Sequence, residues 1–85
     1  MYYVYILFSE RINEYYCGQC NEVANRIKRH NSGETKSIKH GIPWKLVGYI
    51  LLGSRSEAMQ LEKKIKKRGI GRWLQNNSTL LIQPG

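Results

Sequence analysis

The chain has 85 residues and carries 14 Lys and Arg against 6 acidic groups, a formal net charge of +8. That length supports one domain with one modest core, and a pI near 9.8 points to a polyanionic partner, most often nucleic acid. No segment approaches the roughly 20 apolar residues that span a bilayer, and no basic amphipathic helix carries a broad aromatic or leucine face, which argues against a membrane surface.

Residues 2–8 are aromatic, β-branched or leucine throughout, the composition of a strand covered on both faces. The start has no basic leader region and no small-residue cleavage site, so it reads as a first strand and the protein as cytoplasmic, with reduced thiols. Residues 9–13 are polar and turn-like, and 15–18 read as a returning strand of a hairpin. Asn21 is placed to cap a helix over 22–31, with Val23, Ala24 and Ile27 as its apolar stripe and Gly33 as its stop. Residues 34–43, polar and basic, read as a loop. A third strand spans 44–52, with Gly48 as a bulge or close-approach point. Ser54 and Glu57 match a capping box, which opens a helix running to about Arg68. Gly69 and Gly71 break it, and 72–76 form one more short helix. No repeat or linker divides the chain, so residues 1–85 are read as a single domain.

Several side chains stand out for their chemistry. Tyr5 and Tyr16 share one sheet face, or lie diagonally across it, if the hairpin loop centres on residues 11 and 12. Arg26 and His30 are four apart and share one flank of the first helix. On the second long helix Ala58, Leu61 and Ile65 define the buried stripe, and Glu62 lies about 40° from Ala58, at the edge of that stripe. A carboxylate there is partly desolvated and needs a basic side chain or a metal ion as partner. Lys28, Arg29, Lys36, Lys39, Lys63, Lys64, Lys66, Lys67 and Arg72 can supply phosphate contacts.

Tyr3-Val4-Tyr5, then Tyr16-Cys17-Gly18, then Arg26, then Glu62 together resemble the GIY-YIG endonuclease superfamily. The likeness runs from residue 3 to about 68. The stretches around Arg26 to Gly33, Pro43 to Val47 and Ser54 to Ala58 resemble its small standalone bacterial branch, related to the nuclease domain of the nucleotide-excision-repair excinuclease. The resemblance implies an α/β fold, a small three-stranded antiparallel sheet flanked by two to three helices. It implies Mg²⁺- or Mn²⁺-dependent hydrolysis of DNA phosphodiesters by a monomer, structure-selective and related to repair, with RNA not excluded as substrate. Tyr5 and Tyr16 then match the two signature tyrosines, Arg26 the catalytic arginine, Glu62 the metal-binding glutamate, and His30 a position beside the active site. The chain departs from the pattern in having Tyr3 in place of the first Gly, Cys17 in place of Ile, and Gln19 where some relatives have Lys. Asn76 and Asn77 stand as candidates for a further family asparagine.

The residues suit that chemistry on their own terms. Hydrolysis of an anionic diester needs charge neutralisation and an activated water. A single carboxylate is typical of magnesium, which keeps most of its waters. Arg26 can hold the phosphate with its planar fork. A tyrosine with a reference pKa of about 10 acts as base only if nearby cationic charge or a metal lowers that value. Either tyrosine can take that role. Two other readings compete. Cys17-Gly18-Gln19-Cys20 at a strand-to-helix junction fits a redox pair, or a zinc site with His30 and His40. A non-catalytic basic nucleic-acid-binding module would use the same lysines and arginines and would not require Glu62.

Overall fold

The computed structural model describes residues 1–84. Three strands form one antiparallel sheet in the order β2-β1-β3, with β1 at Tyr2–Ser9, β2 at Glu14–Cys20 and β3 at Lys45–Leu52. Helix α1 spans Val23–Asn31, α2 Arg55–Arg68 and α3 Ile70–Asn77. This is the α/β architecture expected from the sequence.

The central strand explains the arrangement. Val4, Tyr5, Ile6 and Leu7 are all buried, so β1 is covered on both faces, as its unbroken apolar run requires. Side chains alternate along it. Val4, Ile6 and Cys17 pack with Ala58 and Ile65 of α2, Trp73 of α3 and Leu81 of the tail. On the opposite face Tyr5, Leu7 and Cys20 pack with Ile38 and Trp44, and Tyr16, Val23 and Ile27 close around them.

The hairpin register pairs Ser9 with Glu14 and Tyr5 with Gly18. The turn is therefore residues 10–13, and Asn13 adopts the left-handed conformation at φ 55° that asparagine tolerates. On the other side of β1, Ile6 pairs with Gly48 and Leu7 with Leu46, which leaves Val47 as an extra residue on β3. A Cβ on Gly48 would lie 2.8 Å from the Leu81 Cβ, so glycine at this bulge makes room for the tail. Tyr49 and Ile82 exchange backbone hydrogen bonds of 3.0 and 2.8 Å, which docks the tail on the outer edge of β3.

Several local expectations need correction. Asn21 is not the cap of α1: Glu22 holds that position, without a side-chain cap bond. Ala24 of the expected apolar stripe is exposed, and the buried residue of α1 is His30. The expected loop over 34–43 contains a 3₁₀ helix, Lys36–Gly41, with Ile38 buried. The last helix starts at Ile70, two residues before the expected 72. The cap of α2 is close to the expected box. Ser54 Oγ accepts from the Glu57 backbone N–H, but the Glu57 carboxylate accepts from the N–H of Gly53, not Ser54.

Candidate active site

The hairpin register decides which aromatic groups meet. Tyr5 faces Gly18 and Leu7 faces Tyr16, so the two tyrosines are diagonal neighbours on one face, with ring centroids 6.3 Å apart. Tyr5 can lie over β2 because position 18 has no side chain: a Cβ there would sit 2.5 Å from the Tyr5 hydroxyl oxygen. Gly18 is thus a shape requirement of the site that the signature contains but whose reason only the packing reveals.

Helix α1 supplies the next group. Its last turn points His30 down onto the sheet, where the imidazole is 2% exposed. The Tyr5 hydroxyl and His30 Nε2 are 2.8 Å apart, and His30 Nδ1 and Thr35 Oγ1 are 3.0 Å apart. Burial, together with the charges of Arg26 and Arg29, holds His30 below the ordinary imidazole pKa, so it is neutral near pH 7. Burial and the neighbouring Tyr16 push Tyr5 well above the usual phenol range, against the opposing pull of Arg26. With both groups neutral, we assign the tautomer in which Tyr5 O–H donates to Nε2 and Nδ1–H donates to Thr35. It needs no further acceptor. Tyr16 packs edge-on against His30 at 5.3 Å between centroids. Thr35 is a functional partner that the sequence alone did not single out; its only signal was a hydroxyl just past the end of α1.

The end of α1 is held in place from outside the site. Asn31 Oδ1 accepts from the Trp44 N–H at 2.7 Å, and its Nδ2 donates to the Trp44 carbonyl at 3.0 Å. Both backbone groups of one residue are thereby satisfied by one side chain, which pins the helix carrying Arg26 and His30 to the start of β3.

Glu62 comes from the other side of the sheet. Its side chain is 18% exposed, and Oε2 accepts from Lys66 Nζ at 2.6 Å. That bond holds the Lys66 ammonium above the ordinary lysine range. The same ammonium stands 5.9 Å from the centroid of the Tyr16 ring. Glu62 thus meets the tyrosine cluster through Lys66 and Tyr16, around the β2 edge, rather than by direct contact. Among the described residues Glu62 Oε1 has no hydrogen-bond partner, and no group of three or more potential metal ligands occurs. One partly buried carboxylate with one open oxygen suits a hydrated divalent ion such as Mg²⁺, and does not suit a cation that needs a cage of protein ligands.

The cysteines fit neither reading considered for them. Both lie on β2, not at a strand-to-helix junction. Cys17 joins the α2-side cluster and Cys20 the α1-side cluster, because residues three apart on a strand point to opposite faces. Two thiols separated by the sheet cannot form a redox pair or share a metal. Burial pushes the Cys17 thiol up to about 12, reinforced by the Glu62 charge, so it is an inert core group.

The lysines and arginines expected to touch nucleic acid are spread over four elements: Lys28 and Arg29 on α1, Lys36 and Lys39 on the 3₁₀ helix, Lys63, Lys66 and Lys67 on α2, Arg72 on α3. All are exposed. Arg29 lies 4.0 Å from the Glu34 carboxylate, and Lys66 is engaged with Glu62. Asn76 is exposed, whereas Asn77 Nδ2 donates to the Trp73 carbonyl, a bond within α3.

A family model described as the GIY-YIG catalytic domain matches residues 1–69. The chain belongs to the GIY-YIG family. A solved structure agrees: the UPF0213 protein BH0048 from Bacillus halodurans, determined by solution NMR, is 33% identical, with 93% of this chain and 85% of that chain covered at a TM-score of 0.57. No curated protein matches the chain. Membership makes this a nuclease-type domain, in a family whose nucleases generally depend on divalent metal. No helix among the described residues is long and apolar enough to cross a membrane. The GIY-YIG match ends one residue after α2, so α3 and the docked tail lie outside it.

Proposed function

We propose that this protein is a divalent-metal-dependent endonuclease that hydrolyses DNA phosphodiester bonds as a cytoplasmic monomer, with selectivity for DNA structure and a role in repair. One observation carries the reading. Tyr5, Tyr16 and His30 converge on one sheet face, next to an arginine whose charge acts on both Tyr5 and His30 and that has no ion-pair partner among the described residues. Core packing alone gives no reason to hold an unpaired guanidinium beside a buried phenol and imidazole.

The chain's residues divide the work as follows. Arg26 binds the scissile phosphate and stabilises the charge that grows on it in the transition state. Tyr5 is buried and stays protonated, so it is not the base. Bonded to His30, it supports the neighbouring Tyr16 ring. Tyr16 is the more exposed phenol and orients and deprotonates the attacking water. Glu62 would hold Mg²⁺ or Mn²⁺, which when bound supplies Lewis-acid polarisation of the phosphate. Before that it must exchange its contact with Lys66 for the ion, and this frees the ammonium to pair with the DNA backbone.

The Glu62–Lys66 ion pair also favours one other reading, a basic nucleic-acid-binding module without catalysis. A nicking assay on supercoiled plasmid decides between them. Nicked circles with Mg²⁺ or Mn²⁺, and none with chelator, are the result expected of the nuclease. Binding without nicking in either metal leaves the module.

A further inference from the structure

Two recesses open where β1 begins and β2 ends, and Asn21 lines both. One, of about 420 Å³, has Arg26 of α1 and Arg55 of α2 in its wall, with Gln19 between polar neighbours. Among the described residues neither arginine forms an ion pair. Two guanidinium groups facing one recess repel each other unless an anion lies between them, and their planar forks match phosphate oxygens. The other recess, of about 370 Å³, is walled mainly by Tyr3, Val23, Ala24, Ile27 and Tyr49. The Tyr3 and Tyr49 rings meet edge to face at 5.6 Å.

These adjoining recesses have the chemistry of the two halves of a nucleotide. An anion fits the first, a flat group with apolar faces the second, and the Asn21 amide between them can both donate to and accept from a base edge. We propose that they bind one unpaired nucleotide of the DNA strand, its phosphate on Arg26 and Arg55 and its base in the Tyr3–Tyr49 groove. A base within a duplex is stacked and paired, and cannot enter a recess beside its own phosphate. The proposal deepens the nuclease reading, on which the role of Arg26 rests. It makes the enzyme one that needs an unpaired nucleotide next to the bond it cuts.

Binding titrations in chelator test it without any cleavage, using a single-stranded oligothymidylate and a blunt duplex of equal length. Ala24→Phe fills the groove from an exposed position, and Arg55→Ala removes one guanidinium. Each should weaken oligothymidylate binding by about tenfold, the scale of one lost stacked base or phosphate contact, and change duplex binding less than twofold. An abasic oligonucleotide bound to the unaltered protein should lose the same factor. Unchanged thermal melting shows that both variants fold. Equal losses on both DNAs, or no loss with Ala24→Phe, overturn the proposal. A protein that nicks plasmid but shows no selective loss keeps the nuclease and loses this site. One that shows the selective loss but never nicks keeps the site and loses the nuclease.

Discussion

The two faces of the sheet are built from the same three strands and have different chemistry. The face under α2 and α3 is aliphatic: Val4, Ile6, Ala58 and Ile65 interlock with Trp73 and Leu81. The face under α1 holds Tyr5, Tyr16, His30 and Trp44, linked by hydrogen bonds as well as packing. Alternation along β1 assigns each residue to one or the other. The first face supplies burial that tolerates no polar group. The second accepts buried polar groups because each has a partner, down to the Ser9 hydroxyl that donates to the Gly41 carbonyl at 2.6 Å. A small domain thus keeps stability and chemistry on opposite sides of one central strand.

Glu62 is the residue that can break this division, since it stands on α2 yet is assigned a catalytic role. Glu62→Gln keeps the shape and removes the charge. It should abolish metal-dependent nicking while DNA affinity stays equal or rises slightly. Full activity in that variant would falsify the assignment. Arg26→Ala, on the other face, should lower single-turnover cleavage by a factor on the order of 10²–10³, with a modest effect on affinity. Lys28→Ala, pointing away from the site, should leave the rate and reduce the salt slope of binding by about one unit. If the two variants behave alike in both assays, α1 is only a basic surface.

The tyrosines sharpen the comparison within one face. Tyr16→Phe should lower the cleavage rate by about 10²-fold if it is the general base, and Tyr5→Phe by less, because Tyr5 acts through its neighbours. A larger loss for Tyr5→Phe reverses their roles. On the aliphatic face Ile65→Ala should cost roughly 2–5 kcal/mol in denaturant unfolding, while the folded fraction still cuts at the normal rate. A catalytic defect in folded protein would show that the faces are coupled.

The smallest effect is expected from acid. His30 has a lowered pKa when folded, against about 6.5 when unfolded. Above that value the imidazole is neutral in both states and contributes nothing to pH dependence. As pH falls through about 6.5 the unfolded chain binds the proton first, so stability declines until the folded pKa is reached. Chemical denaturation between pH 4 and 7 should show a steeper decline for the native chain than for His30→Gln. Parallel curves would mean that His30 is protonated equally in both states.

Much of this fold was legible because local signals agreed with one another. The unbroken run over 2–8, the turn centred on 11 and 12, and Ser54 with Glu57 each specified an element, and the hairpin placed Tyr5 diagonal to Tyr16. What was not legible depended on long-range packing. Nothing local distinguishes residues 36–41 from a polar loop until Ile38 and Trp44 find the Tyr5 face. The exposure of Ala24 and burial of His30 run against their polarity, and are set by the Tyr5 hydroxyl waiting across the sheet. Cys17 and Cys20 resemble a redox motif only while their strand is ignored. Arg55 carries no local signal of its own, because Arg26, with which it shares a recess, is 29 positions away in the chain.

The exchange of backbone bonds between Tyr49 and Ile82 also bears on the protein's behaviour in a crowded solution. β3 ends the sheet on one side, and such a strand offers its unpaired amides and carbonyls as a template on which another chain can extend the sheet. Ile82 takes the matching groups of Tyr49 midway along that border, and Leu81 locks the segment down against Gly48. The chain's own last residues thereby interrupt the surface that would otherwise invite self-association, so colloidal stability is built in beyond the stretch that carries the family signature.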